Sequence, residues 1–248
     1  MTGSLVVVGT GPGKVELMTP ATSAALARAT DLVGYGPYLD RVPVHAGQCR
    51  HASDNRVELD RARHALSLSA SGKQVAVVSG GDPGVFAMAA AVFEAVEAGD
   101  LAWRTLDIRV EPGVTAMLAA AAEVGAPLGG DFCAISLSDN LKAWTTIEQR
   151  LTAAAEADFV IALYNPASKA RPRQLGEALA LLRAKKKPET PVLFIRAAGT
   201  SEVKVVSTTL GAADASTADM RTLVIIGAST TRQVGRWIYT PRGERGFS

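Results

Sequence analysis

Four short runs of Val, Leu and Ile each stop at a glycine or proline loop. They are "VVVGTGPG" from residue 6, "VAVVSGGDPG" from 75, "IRVEPG" from 108 and "VIALYNP" from 160. Between such runs lie Ala-rich segments with helical spacing. This alternation defines an α/β protein in which short strands feed loops at their carboxyl ends. In the first half the strand candidates are Leu5–Val8, Asp31–Val33, Gln74–Ser79 and Leu106–Val110. Helical spacing covers Thr22–Ala29 and about Asn55 to Ser69, where Asn55 and Glu58 have capping-box spacing. In the second half the candidates are Cys133–Leu137, Phe159–Leu163, Val192–Ile195, Val203–Ser207 and Leu223–Ile226, with room for a hairpin between the segments near 195 and 203. A mostly parallel N-terminal sheet and a mixed C-terminal sheet follow. The Gly/Pro breaks at Glu111-Pro112-Gly113 and Gly125–Gly130 bracket the boundary, giving domains 1–112 and 113–240 and a tail 241–248. From Thr240 onward no apolar pattern remains, and the tail is expected to fray.

The first loop invites a phosphate reading, which its spacing refuses. A P-loop needs a glycine where Val8 stands and a hydroxyl where Val15 stands. A dinucleotide fingerprint fits Gly9 and Gly11 but meets Lys14 at its third glycine. Pro12 also removes a donor N–H from the loop. The glycines serve either a close backbone approach to a ligand without phosphate or a tight turn with no ligand.

Bulk properties narrow the function further. The chain has 248 residues, 48% hydrophobic and 5% aromatic, with a net charge of +2. Its dispersed basic residues do not suit nucleic acid. The one run, Lys185-Lys186-Lys187, reads as a solvated helix end where cations suit the dipole. Cys49 and Cys133 imply no disulfide framework. No leader and no long apolar run is evident, so a cytoplasmic, soluble protein without membrane contact is expected. Cys49 and His51 have no companions at ligand spacing, and no metal site is expected.

In open α/β sheets ligands collect at the carboxyl ends of strands, which singles out the loops at Ser79–Gly84, Glu111–Thr115 and Tyr164–Pro166. Asp82 and Thr115 also suit helix capping, and Asn165-Pro166 suits a turn.

Together "VVVGTGPG", "VSGGDPGVFAMA", "EPGVTAMLAAAAEVGAPLGGDFCAISLSD" and "ALYNPASKAR" resemble the tetrapyrrole methylases of the cobalamin pathway. The likeness runs in order from Leu5 to about Arg236. It implies two α/β domains with the active-site cleft between them, S-adenosylmethionine as cofactor, a tetrapyrrole substrate and a homodimer. By motif position it implies cofactor contacts at Pro12, Gly80, Gly81, Asp82, Val85, Thr115, Ala116, Asn165, Gly199 and Thr222. Within the family, "SDNRVEL", "ISLSD" and "YNPASKAR" resemble the members that methylate C17 of precorrin-3B with ring contraction to precorrin-4. The alternative is another precorrin, cobalt-precorrin or uroporphyrinogen III methyltransferase.

Methyl transfer from a sulfonium needs no base, so alignment can supply much of the rate. Ring contraction would benefit from an acid or base, and His51 and Asp54, read as loop residues ahead of a helix, are the candidates. Glu58 and His64 read as exposed helix residues. Substrate carboxylates would be met by arginines beside the motifs: Arg50, Arg56 and Arg171, with Arg173 nearby, and by the backbone at Gly11.

Overall fold

The strands Ser4–Gly9, Asp31–Tyr35 and Gln74–Ser79 are buried almost without interruption, and because successive side chains point to opposite faces, both faces of their sheet must be covered by helices. The computed structural model describes residues 3–54 and 57–243. It divides into two compact units, Met1–Ala116 and Met117–Ser248. In the first unit β1 (Ser4–Gly9), β2 (Asp31–Tyr35), β3 (Cys49–Ser53), β4 (Gln74–Ser79) and β5 (Asp107–Glu111) form a sheet of order β3-β2-β4-β1-β5. Every pairing in it is parallel. Leu5, Val7, Val75 and Val77 pack against α3 (Glu58–Ala70) and α4 (Met88–Ala98). Their strand neighbours Val8, Ala76 and Val78 turn the other way, onto α1 (Pro20–Arg28) and the short α2 (Gly36–Leu39). Each fully buried Leu or Val contributes roughly 1.5–3 kcal/mol. Helix α1 starts where its sequence dictates: the Thr19 hydroxyl accepts from the Thr22 N–H, and Pro20 opens the first turn.

Register fixes where this unit presents its loops. Gly9 pairs with Ser79, and Val8 with Glu111. The carboxyl ends of β1, β4 and β5 therefore stand side by side.

The second unit carries α5 (Ala116–Val124, its first residue in the first unit), β7 (Phe132–Ser136), α6 (Trp144–Glu156), β8 (Val160–Tyr164), α7 (Gln174–Arg183), β9 (Pro191–Arg196), β10 (Lys204–Thr209) and β11 (Thr222–Ile226). Its main sheet runs β10-β9-β11-β8-β7. Strands β7 and β8 are parallel, the other pairings are antiparallel, and β9–β10 is the expected hairpin. Ile161, Leu163, Val192, Phe194, Val224 and Ile226 face α6 and α7 across one core. No helix among the described residues is long and apolar enough to cross a membrane.

Several expectations need correction. The stretch holding Arg50 and His51 is not a loop but edge strand β3, paired in parallel with β2 from Asp31↔Cys49 to Tyr35↔Ser53. Its sequence Cys-Arg-His-Ala-Ser has no apolar run, because an edge strand buries little. A small sheet of β6 (Gly125–Ala126), β12 (Arg232–Val234) and β13 (Trp237–Tyr239) also escaped the pattern, since strands of two or three residues carry no period. Thr240 does not fray: it is buried, and its hydroxyl reaches the Pro127 carbonyl at 2.6 Å and the Thr231 hydroxyl at 2.8 Å. Helix α3 begins at Glu58, and the expected partner Asn55 lies outside the described residues.

Lys186 is the sharpest correction. Its side chain is 3% exposed and its ammonium meets Asp158 at 2.9 Å, so it is not solvated. Asp158 also accepts from the backbone and hydroxyl of Ser229. Burial opposes the Asp158 charge, but the bonds from Ser229 and Lys186 outweigh it and hold the carboxyl below its ordinary value. A carboxyl depressed by folding stabilises the fold above its unfolded value, about 3.9, and loses that contribution as pH falls through the folded value. Asp158→Asn should therefore lower the urea midpoint at pH 7. The gap between variant and parent should begin to narrow as pH falls below about 4 and close beneath the folded value, and a gap that stays constant through that fall would contradict this account.

Candidate functional site

Why Gly9 and Gly113 must be glycine is answered by the backbone around Gly81. A Cβ on Gly9 would stand 2.6 Å from the Gly81 carbonyl oxygen and 2.7 Å from the Gly113 nitrogen. A Cβ on Gly113 would stand 2.3 Å from the same Gly81 oxygen. The loops after β1, β4 and β5 thus meet at a point with no room for side chains. Two backbone bonds close the contact, Gly11 N–H to Gly81 O at 3.1 Å and Gly81 N–H to Gly11 O at 2.8 Å. The Thr10 N–H goes to Ser79 O at 2.9 Å. The N–H groups of Thr10 and Gly11, which a phosphate loop would offer to its ligand, are spent inside the protein here. At Gly9 the close approach is to the chain itself and not to a ligand.

Asp82 fastens the same loops through its side chain. One carboxylate oxygen accepts the Gly84 N–H at 2.8 Å and the other the Gly113 N–H at 3.0 Å. Gly80 lies under the Tyr38 ring, 2.8 Å from where its Cβ would be. Backbone strain concentrates nearby: Gly81 has φ +66° and the half-exposed Phe86 has φ 52°. Left-handed backbone at a bulky residue persists only where its surroundings enforce it, and such positions cluster at functional sites. Thr115 is buried just ahead of α5. Among the expected cofactor residues, Pro12, Gly80, Gly81, Asp82 and Thr115 are thus brought to one edge of the first sheet. Val85 follows in the same loop, its N–H on Asp82 O at 3.3 Å.

The second unit gathers its expected residues in the same way. Tyr164 ends β8 beside Ser136 of β7, and Thr222 opens β11 opposite Arg196, which ends β9. Asn165, Gly199 and Thr222 consequently share one edge of that sheet. Asn165 (φ 53°), Ala197 (φ 52°) and Gly199 (φ 72°) are all left-handed. The Asn165 amide donates to the Ser136 hydroxyl at 2.9 Å, and its carbonyl accepts from Arg171 at 3.0 Å. Tyr164 accepts the Met117 N–H at 3.0 Å, holding the first turn of α5. Sequence reasoning missed Tyr164 and Ser136 as supports, because their roles lie in what they hold.

The candidates for acid–base chemistry separate. Asp54 directly follows β3, at the carboxyl edge of the first sheet, and its carbonyl accepts from Arg61 at 2.6 Å. His51 sits mid-strand, and its Nε2 is 2.8 Å from Asp31, the first residue of β2. The imidazole therefore points to the amino end of the strands, away from the glycine loops. Burial works against the Asp31 charge, but hydrogen bonds from His51 and Thr30, with Lys73 nearby, keep its carboxyl below the ordinary value. Arg50 lies on β3 and spends its guanidinium on the carbonyls of Leu39, Val42 and Pro43 at 2.7–2.9 Å. Arg171 is half-buried and donates through one nitrogen to the carbonyls of Asn165 and Leu137. Arg173 is exposed, 3.7 Å from Glu177. Arg56 lies outside the described residues.

Doubly covered parallel strands with glycine-locked loops at their carboxyl ends, and a mixed second sheet, agree with one family. Residues 4–214 match the model of the tetrapyrrole (corrin/porphyrin) methylases, and the chain belongs to that family. It is 58% identical over 253 aligned residues to a precorrin-3B C(17)-methyltransferase from Sinorhizobium sp, covering all of both chains. Among solved structures it is similar to the methyltransferase CobJ, with TM-score 0.94 and 54% identity over 96% of this chain and 100% of that one. It also shares its fold with a uroporphyrin-III C-methyl transferase from Thermus thermophilus complexed with S-adenosylhomocysteine. That likeness has TM-score 0.68 at 21% identity, covering 91% of this chain and 97% of that one.

The glycine contact ranks three substitutions. Gly9→Ala and Gly113→Ala press a Cβ onto backbone and should each cost about 1–3 kcal/mol or more. Gly81→Ala meets nothing closer than 3.8 Å and suffers only from its positive φ, a cost of about 1–2 kcal/mol. Urea unfolding of the three variants checks the order, and a larger loss at Gly81 would overturn the packing explanation.

Proposed function

We propose that this chain methylates C17 of precorrin-3B, with contraction of the macrocycle to precorrin-4, using S-adenosylmethionine. The observation that carries the reading is the end-to-end likeness to the Sinorhizobium relative of that activity, without a gap in coverage on either side. The cofactor fits the loops of the first unit: it has no phosphate, and the N–H groups of Thr10 and Gly11 are already spent. When bound it supplies an electrophilic methyl group on a positively charged sulfur. The residues named from sequence as its contacts remain the proposed set: Pro12, Gly80, Gly81, Asp82, Val85, Thr115, Ala116, Asn165, Gly199 and Thr222.

What the chain contributes is mostly alignment. The fastened backbone of Gly80–Gly81 and the Thr115-Ala116 turn offer preset contacts, and Asp82 keeps a fixed negative charge beside them. Arg171, which uses one nitrogen on Asn165 and Leu137, takes a substrate carboxylate with its remaining donors. Asp54, at the carboxyl edge of β3, serves as acid or base for contraction in preference to His51. Arg50, Arg56 and the Gly11 backbone stay in the proposed substrate set. A homodimer in the cytoplasm completes the reading and rests on the family resemblance; light scattering tests the dimer.

Incubation with S-adenosylmethionine and each early precorrin, followed by mass spectrometry, tests the substrate. Methylation of precorrin-3B with contraction is expected, and methylation of a different precorrin instead would reject the assignment. Asp54→Asn should slow contraction about 100- to 10,000-fold while methyl transfer continues, so that a C17-methylated, uncontracted tetrapyrrole accumulates. Contracted product at the parental rate would remove Asp54 from the mechanism.

A further inference from the structure

Three side chains from three elements line up beside the edge of the first sheet. Asp31 on β2 is buried, with a side chain 4% exposed, and its Oδ1 is 2.8 Å from Nε2 of His51 on β3. The other nitrogen of that ring, Nδ1, is 3.2 Å from Nε2 of the exposed His64 on α3. In the neutral ring, a bond from Nε2–H to the carboxylate puts the lone pair on Nδ1, on the side of His64. Both rings line an open cavity of about 390 Å³, which Asp60, one turn before His64 on α3, also lines.

The ring geometry is not that of a straight hydrogen bond. With each nitrogen about 1.1 Å from its ring centre, a collinear N–H···N bond of this length would hold the centres roughly 5.4 Å apart. They are 4.9 Å apart, with the rings inclined at 63°. The two nitrogen axes are therefore not collinear. One cation bound to both nitrogens at about 2.0–2.1 Å, with an angle near tetrahedral, would set the nitrogens about 3.3 Å apart and the centres roughly 5 Å apart. Ligating histidines characteristically donate their second N–H to a carboxylate, which fixes the tautomer and turns the free nitrogen to the metal. Asp31 occupies that position.

We propose that His51 Nδ1 and His64 Nε2 form a two-histidine site for a divalent transition cation of the zinc or cobalt type, with Asp31 orienting His51 from behind. Imidazole nitrogen suits these ions better than calcium or magnesium. No group of three or more His, Cys, Asp or Glu side chains among the described residues is placed to hold a metal. The pair thus supplies two ligands, and the cavity leaves space for water, or for Asp60 after a rotamer change, to complete the shell. A cation here would pin edge strand β3 to α3, just upstream of Asp54. The site is separate from the glycine loops, so its test does not depend on the proposed reaction.

The experiment uses the full chain without an affinity tag, dialysed against zinc chloride or cobalt chloride at pH 7.5, with bound metal measured by mass spectrometry. One equivalent is expected in the parent, together with a cobalt visible band and a raised melting temperature. His64→Gln, an exposed change, should abolish all three, and His51→Gln should do the same. Asp31→Asn should weaken binding about 10- to 100-fold. His45→Gln and Cys49→Ser, changes at other potential ligands outside the pair, should bind as the parent does. Failure of the parent to bind would overturn the proposal, and so would equal binding by His64→Gln. Metal loss in His45→Gln or Cys49→Ser would assign the cation elsewhere and overturn it equally.

Discussion

The contact among Gly9, Gly81 and Gly113 is the constraint on which the first unit depends. Three parallel strands end level with one another, so their loops must leave through the same small volume. Backbone alone fits there: Cβ positions on Gly9 and Gly113 fall 2.3–2.7 Å from neighbouring atoms. Once the chain is that close, Gly11 and Gly81 exchange both of their N–H···O bonds. The cost of ordering three glycine-rich segments, which are the most flexible in an unfolded chain, is met by contacts that only glycine permits. A loop set fixed in this way needs no rearrangement when a ligand arrives, and preset geometry is what an alignment-driven transfer requires.

Asp82 extends the same logic to a side chain. The sequence leaves it between helix cap and ligand contact, whereas its two oxygens grip the Gly84 and Gly113 N–H groups. A carboxylate that accepts two backbone N–H bonds is held in place. Asn165 is its counterpart in the second unit. It adopts a left-handed turn, ties its amide to Ser136 and offers its carbonyl to Arg171. In each unit, therefore, one short polar residue after a strand converts a turn into a rigid platform.

Much of this was legible because buried strands and loop glycines leave strong marks. Gln74–Ser79 is bounded as its sequence suggests, and the parallel and mixed sheets follow from the pattern of runs. Marks fade where burial is partial. Strand β3 is polar because only one neighbour pairs with it, and β6, β12 and β13 are too short to show alternation. Lys186 reads as a surface charge in a basic run, and only the fold reveals that Asp158, from the turn after α6, reaches it. Side-chain roles were the least legible part. The sequence leaves Gly9 between a ligand approach and a tight turn, and the structure shows it admitting backbone, a distinction that depends on which loops lie opposite.

The placement of His51 follows from register, and register also explains why a histidine is tolerated there. Parallel pairing sets His51 opposite Val33, two residues beyond the Asp31↔Cys49 pair, so its side chain shares a sheet face with those of Asp31 and Cys49. A ring at that position reaches back toward Asp31 and outward toward α3, and cannot also attend the carboxyl edge. Had β3 been shifted by one residue, Arg50 or Ala52 would have faced Asp31 and the imidazole would have turned to the opposite face. Arg50, pointing the other way, instead clamps the carbonyls of Leu39, Val42 and Pro43 on the α2 side. The polar edge strand is thus held on one face by an arginine and on the other by a carboxylate–imidazole pair. Where apolar burial is too small to fix an edge, directional polar contacts from both faces set its register and, with it, the position of Asp54.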